Sequence, residues 1–79
     1  MPIDVIIKNA ENGSTLNMEL EPHILIEEII EAAAEFLNKD AGAYVLRRGK
    51  KLLKGQSTVM DAGLKDKDVI ELIPDPEGG

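Results

Sequence analysis

Ile3, Val5 and Ile7 alternate with Asp4 and Ile6, and apolar and polar residues alternate strictly along residues 15–21. Successive side chains of a strand point to opposite faces of a sheet, so this alternation predicts two strands that each bury one face. The segment between them, residues 9–14, is rich in turn-forming residues, which predicts that the two strands form a hairpin. In the second strand the apolar face consists of Leu16, Met18 and Leu20.

The spacing of apolar residues changes after Pro22. From about Ile24 to Asn38 they recur every three or four positions, which predicts an amphipathic helix. Glutamates form most of the opposite face, and two of them fall in the first turn, where they complement the backbone dipoles. Leu25 stands where a Ser, Thr or Asp cap would be expected, so the start of the helix is the boundary that the sequence defines least. The predicted apolar face comprises Ile26, Ile29, Ile30, Ala33 and Leu37.

The second half of the chain predicts a second hairpin around Gly49, with strands at residues 44–48 and 51–53. Residues 57–63 predict one helical turn with a hydroxyl cap and a closing glycine, and residues 69–73 predict the last strand. Pro74 and Pro76 cannot donate ladder hydrogen bonds, so strand pairing is expected to end by residue 74. The fold class is therefore α+β: one domain over residues 1–73, with a mixed sheet of four to five strands packed on one helix. Residues 74–79 form a C-terminal tail.

Composition excludes several kinds of site. A chain of 79 residues holds one domain with one core. It has no cysteine, which excludes disulfides, thiolate metal sites and a cysteine nucleophile, and its single histidine, His23, cannot form a zinc site alone. The glutamates of the helix are typical of a solvated face and have no apolar pocket to shift their pKa. We therefore predict no metal, no cofactor and no enzymatic activity.

Charge and hydropathy limit the classes of partner that the chain is expected to bind. The formal net charge of −6 argues against nucleic acid, because binding a phosphate backbone requires a basic face. No apolar run approaches the roughly 20 residues that a membrane span needs. The expectation is a monomeric, cytoplasmic protein whose partners are other proteins.

The chain ends in Gly78 and Gly79. Glycine has no Cβ, so two in succession let an extended segment enter a narrow channel and let reacting groups approach its carbonyl closely. A carboxylate activated by ATP as an acyl-adenylate could then be attacked by a lysine amine, giving an isopeptide bond, or by sulfide, giving a thiocarboxylate. The alternative is that the glycines are an incidental chain end.

The order of elements, the segments 16–22, 49–52 and 57–64, and the Gly-Gly ending together resemble the β-grasp fold of the ubiquitin-like modifier family, in particular its bacterial and archaeal members. The resemblance implies that Gly79 is adenylated by an E1-like activating enzyme and transferred to lysines of target proteins. E2-like and E3-like enzymes and a deconjugating protease would be further partners. Asp75 and Glu77 stand where ubiquitin has two arginines that its activating enzyme reads, which implies a cognate enzyme with a basic channel.

The resemblance also implies a partner-binding surface. Leu46 and Ile73 fall on two members of ubiquitin's exposed apolar patch, and Arg48, from the basic cluster at residues 47–54, is assigned to the same surface. The alternative for that cluster is a solvated hairpin face. Lys50 falls on one of ubiquitin's chain-forming lysines, and Glu71 replaces a histidine beside the patch. The implied core comprises Ile3, Val5, Leu16, Met18, Leu20, Ile26, Ile29, Ala33, Val45, Leu52, Val59, Leu64, Ile70 and Leu72.

Three functions remain open at this point. A covalent modifier is favoured, because the body resembles ubiquitin more than the sulfur carriers of cofactor synthesis, which are typically shorter in the central hairpin region. A sulfur carrier with a C-terminal thiocarboxylate and a non-covalent β-grasp interaction module are the alternatives. All three functions depend on contacts with other proteins, and the first two also depend on the tail.

Overall fold

The structure, a computed structural model, describes residues 1–76, and Glu77, Gly78 and Gly79 lie outside the described residues. Five strands form one mixed sheet in the order β2-β1-β5-β3-β4. The pair β1 and β5 is parallel and the other pairs are antiparallel. The predicted mixed sheet packed on one helix is confirmed. The elements are β1 (Ile3–Asn9), β2 (Thr15–Leu20), α1 (Ile26–Phe36), a short 3₁₀ helix (Ala41–Ala43), β3 (Tyr44–Arg48), β4 (Lys51–Leu53) and β5 (Val69–Pro74).

The first hairpin has the predicted register. Val5 lies opposite Met18 and Ile7 opposite Leu16, so the apolar residues of both strands share the face that packs on α1. We call this the inner face of the sheet and the opposite one the outer face. Val5 and Ile7 are fully buried there.

Loop backbone caps the start of α1. The Ile26 N–H donates to the Ser57 carbonyl over 2.8 Å, and the Glu27 N–H donates to the Gly55 carbonyl over 3.0 Å. The Glu28 carboxylate accepts from the Leu25 N–H at 2.9 Å. These bonds satisfy donors that an Ncap side chain would otherwise serve, which explains how Leu25 can occupy that position.

The end of α1 is set by Asn38, whose φ of 59° is left-handed. The Lys39 N–H then donates back to the Ala34 carbonyl over 2.7 Å, an arrangement that terminates helices. The helix is therefore two residues shorter at each end than predicted. None of the helices in residues 1–76 is long and apolar enough to cross a membrane.

The single helical turn expected within residues 57–63 is present, with Thr58 as its cap. The Thr58 hydroxyl accepts from the Asp61 N–H at 3.0 Å, and the Ala62 N–H donates to the Thr58 carbonyl. The Val59 N–H donates to the Ile24 carbonyl over 2.9 Å. This turn therefore lies against the segment that enters α1.

The core lies between α1 and the inner face. Most of the residues expected in it are buried, whereas the predicted burial of Val45 and Leu52 is wrong: Val45 is half-buried and Leu52 is 46% exposed. Leu46 and Leu53 take the inward positions instead, and Leu46 lies opposite both Leu53 and Leu72. The buried hydrophobic residues are Val5, Ile7, Leu20, Ile26, Ile29, Ile30, Ala33, Ala34, Leu46, Leu53, Val59, Leu64, Ile70 and Leu72.

Strand β5 ends at Pro74, as expected from the sequence. Tyr44 lies opposite Pro74, and Pro74 needs no ladder donor at this position, so it can be the last residue of the strand. One further backbone bond, from the Asp75 N–H to the Ala43 carbonyl over 2.9 Å, holds the chain one residue past the strand.

Candidate functional site

The chain leaves the sheet at the rim formed by the start of β3 and the end of β4. Asp75 is half-buried there and Pro76 is exposed. Both line an open groove together with Val45, Leu52 and Lys54. The predicted attachment residues Gly78 and Gly79, and the predicted recognition residue Glu77, lie outside the described residues. Asp75 is therefore the one residue of the predicted tail site that lies within the described residues.

Beside this rim, the outer face carries three apolar side chains. Val45 lies directly opposite Ile73 on the neighbouring strand. Leu52 lies opposite Arg47, which is two residues after Val45 and on the same face of β3. Leu52 is 46% exposed. We call Val45, Leu52 and Ile73 the rim patch.

Charged residues occupy the middle of the outer face. Arg47 donates to the Glu71 carboxylate over 2.8 Å, and Lys8 lies opposite Glu71 on its other side. The side chains of Arg47 and Glu71 are about a third exposed (38% and 31%). A partly exposed pair of this kind is worth at most about 1 kcal/mol, so its effect is mainly on which surfaces can dock.

Two of the three residues predicted for the partner-binding surface lie elsewhere. Leu46 is fully buried on the inner face, so the expectation that it belongs to an exposed patch is wrong. Arg48 also lies on the inner side, where its guanidinium donates to the Gly63 carbonyl and approaches the Asp68 carboxylate at 3.6 Å. Arg48 thus fastens β3 to the loop before β5. Ile73 alone of the three is on the outer face.

A two-residue turn fixes the pairing within the second hairpin. Arg48 pairs with Lys51, and Gly49 and Lys50 form the loop between them. Gly49 has a φ of 62°, whereas Lys50 is not among the residues with positive φ, the combination of a type II′ turn. In this register Leu46 and Leu53 share one face, which is the inner one, and Leu52 lies with Val45 on the outer face.

Lys50 occupies the second position of that turn and is exposed. Its amine is thus accessible, as is that of every exposed lysine. Its assignment as an acceptor lysine stays a prediction.

A hydrogen bond between side chains joins the first hairpin to the start of β3, next to Pro74. The Tyr44 hydroxyl donates to the Glu11 carboxylate over 2.7 Å. This bond, followed by partial burial and the negative charge of Glu11 and Asp40, raises the pKa of Tyr44 above the ordinary value of 10.0.

The shift of Tyr44 is measurable because the chain has one tyrosine and no tryptophan. We expect the tyrosinate absorbance to titrate with a higher midpoint in the wild type than in a Glu11→Gln variant. Because the folded-state pKa is raised, the stabilisation is fully present below pH 10 and is lost as the pH rises through the folded-state value. Equal midpoints in the two proteins would show that the hydrogen bond is absent in solution.

Within residues 1–76, no group of three or more His, Asp or Glu side chains is arranged to hold a metal ion. In the described residues the site consists of the start of the tail at Asp75 and Pro76, the rim patch and the central ion pair of Arg47 and Glu71. It offers surfaces for binding other proteins.

Five strands in this order, wrapped around one helix, define the ubiquitin-like β-grasp fold. Over its whole length the chain is similar to a ubiquitin of Caldiarchaeum subterraneum, with 22% identity, a TM-score of 0.86 and 100% coverage of both chains. It is also similar to the UBL domain of Plasmodium falciparum Dsk2, with 23% identity and a TM-score of 0.85, covering 95% of this chain and 100% of that one. No protein-family model and no curated protein matches the chain. The fold expected from the sequence is confirmed.

Proposed function

We propose that this chain is a ubiquitin-like protein modifier whose Gly79 carboxylate is adenylated by an E1-like enzyme and transferred to lysine amines of target proteins. The observation that carries the proposal is the exit of β5: the sheet holds the chain up to Asp75, and Pro76 is exposed at the rim. Two further residues, Glu77 and Gly78, then precede Gly79 in the sequence.

The chemistry needs a second protein. Attack of the Gly79 carboxylate on the α-phosphate of ATP forms the acyl-adenylate and releases pyrophosphate. A thiol of the enzyme relay attacks the carbonyl carbon of the adenylate and displaces AMP, which gives a thioester, and a lysine amine then attacks the same carbon and displaces the thiol. In the last step the C–N bond forms, the bond to the leaving group breaks and the amine loses a proton. Gly78 and Gly79 permit close approach at that carbon because neither has a side chain.

The charge of the tail is proposed to select the activating enzyme. Asp75 and Glu77 are acidic, so they complement a basic channel and repel an acidic one. We expect the double change Asp75→Arg and Glu77→Arg to lower kcat/KM for activation by the cognate enzyme by about 100-fold, since reversing charges at a docking site costs several kcal/mol.

The matched control for charge reversal is Asp75→Asn with Glu77→Gln, which removes charge without reversing it and should give a smaller loss. Unfolding curves of all three proteins check that the body is intact. Equal activation of the reversed and wild-type proteins would contradict charge selection while leaving adenylation itself untouched.

Intact mass of the protein isolated from its own host tests the proposed reaction. Covalent adducts the size of target proteins, joined through Gly79, are expected for a modifier. A single exchange of sulfur for oxygen at the terminus would instead identify a sulfur carrier. A mass that never departs from that of the unmodified chain would leave a non-covalent binding module.

The rim patch favours that last function as the second candidate. Val45, Leu52 and Ile73 form a small apolar surface beside the tail, and such surfaces mark protein contacts when they are contiguous. Replacing Leu52 with Ser should weaken non-covalent capture by a partner and leave adenylation of Gly79 unchanged.

A further inference from the structure

The basic cluster of the second hairpin has a side that the proposed function does not use. Residues 47–54 contain five lysines and arginines and no acidic residue, in a chain whose formal net charge is −6. Arg47 points outward. Arg48 lies on the inner side, and Lys51 lies there too, because residues directly opposite each other in an antiparallel pair share a face. The helical turn of residues 57–63 lies beside these two side chains.

An open groove runs between β4 and this helical turn. One part of the groove is lined by Arg48 and Lys51, and the other part by Lys51 and Lys54. Leu53 and Ala62 line both parts, so the groove is continuous and has a small apolar centre. We call Arg48, Lys51, Leu53, Lys54 and Ala62 the basic groove.

The basic groove carries an excess of positive charge. Lys51 and Lys54 are exposed, and within residues 1–76 neither of them forms an ion pair with an acidic side chain. The Arg48 side chain approaches Asp68 at 3.6 Å but is still 38% exposed. Among the described residues that line the groove, Asp61 alone is acidic. Lysines without a partner in an acidic chain favour a ligand that brings negative charge.

The extent of the positive surface favours a short acidic peptide over an extended polyanion. A nucleic acid or an anionic membrane would reach far beyond the groove and meet the rest of the chain, which is strongly acidic. A short peptide contacts the groove alone, since charges farther away than a Debye length, ~8 Å at physiological ionic strength, are largely screened. The apolar centre adds a preference for an apolar residue among the acidic ones.

We propose that the basic groove binds a short acidic segment of a partner protein, in which one apolar residue is flanked by Glu or Asp. The apolar side chain would lie on Leu53 and Ala62, and the carboxylates would face Arg48, Lys51 and Lys54. Such binding requires no reaction at the end of the chain. It would add to the chain a second kind of partner, recognised by charge on the inner side of the second hairpin.

The probe is a synthetic, end-blocked peptide of one valine with two glutamates on each side, titrated into the full chain and followed by amide NMR. The largest shifts are expected at residues 51–54 and 61–63. The same peptide with glutamine in place of glutamate is the charge control and should bind at least about tenfold more weakly. Since the attraction is between exposed charges, the affinity for the glutamate peptide should fall as salt is added.

Lys51→Glu is the decisive variant, because it reverses a charge that lines both parts of the groove. We expect it to weaken binding of the glutamate peptide at least about tenfold. Lys39→Glu is the matched control, since it makes the same charge change at an exposed lysine beyond the end of α1, and it should stay within about twofold. Asp61→Asn should strengthen binding about twofold by removing the acidic group. Unfolding curves of the three variants check that the body is intact.

Wild-type affinity of a folded Lys51→Glu protein would overturn the proposal. So would equal binding of the two peptides, or peptide-induced shifts centred on Val45 and Ile73. Tighter binding of phosphatidylserine vesicles than of the glutamate peptide would assign the groove to a membrane and overturn the peptide partner. Self-association of the free chain that Lys51→Glu abolishes would assign the groove to an acidic surface of a second copy and overturn it as well.

Discussion

Deleting Gly79 is expected to abolish adenylate formation with the cognate activating enzyme. The deletion leaves Gly78 as the terminal residue, so the carboxylate is one residue short of its position in the enzyme. Near-attack geometry tolerates displacements much smaller than one residue, which spans about 3.3 Å or more of extended chain. Pyrophosphate exchange dependent on ATP measures the reaction directly.

Two controls make the Gly79 experiment specific. The free energy of unfolding should be unchanged, because the sheet pairs the chain no further than Asp75 in the described residues. Gly79→Val, which restores the length but adds a branched side chain on the Cα next to the reacting carbon, should also fail to form adenylate. Full pyrophosphate-exchange activity of the protein that lacks Gly79 would show that Gly79 is not required for the reaction.

Leu46→Ala is expected to lower the free energy of unfolding by about 3 kcal/mol. Leu46 is fully buried between β5 and β4 on the inner face, and truncating a buried leucine costs about 2–5 kcal/mol through lost transfer energy and the cavity that remains. Urea denaturation followed by circular dichroism gives the value.

Leu52→Ala is the matched control for Leu46→Ala, since it makes the same chemical change in the paired strand at a side chain that is 46% exposed. It should cost less than about 1 kcal/mol. A larger loss of unfolding free energy for Leu52→Ala than for Leu46→Ala would show that Leu52 faces inward and that Leu46 lies on a surface.

The sequence predicts β2 and most of α1 well because each has a single apolar face, and it predicts β1 and β5 as short apolar runs beside turn-forming segments. In β2 the alternation leaves one choice of inward residues, and its register with β1 agrees with that choice. The ends of α1 were less predictable, because the bonds that cap its start come from Gly55 and Ser57, remote in sequence. The left-handed Asn38 then ends it early.

The second hairpin is different because both of its faces look apolar. Val45 and Leu46 are adjacent, as are Leu52 and Leu53, so period-two alternation cannot choose between them. The choice follows from charge: with Leu46 inward, Arg47 faces outward and reaches Glu71. With Val45 inward, Arg47 would lie in the middle of the core, where an unpaired charge is costly. Sequence motifs around Gly49 and Lys50 do not contain this information.

The proposed site was only partly predictable for a related reason. Ile73 could be assigned to a surface through the resemblance to ubiquitin's apolar patch, and the acidic tail is visible in the sequence itself. Val45 and Leu52 were missed because they depend on the hairpin register.

The strand that emerges last from the ribosome among the described elements, β5, lies at the centre of the sheet between β1 and β3. A nascent chain that stops before Val69 therefore lacks the middle of its fold, and β1 has no partner on one side. The two halves of the sheet, β2-β1 and β3-β4, are therefore joined only when this last strand is placed between them.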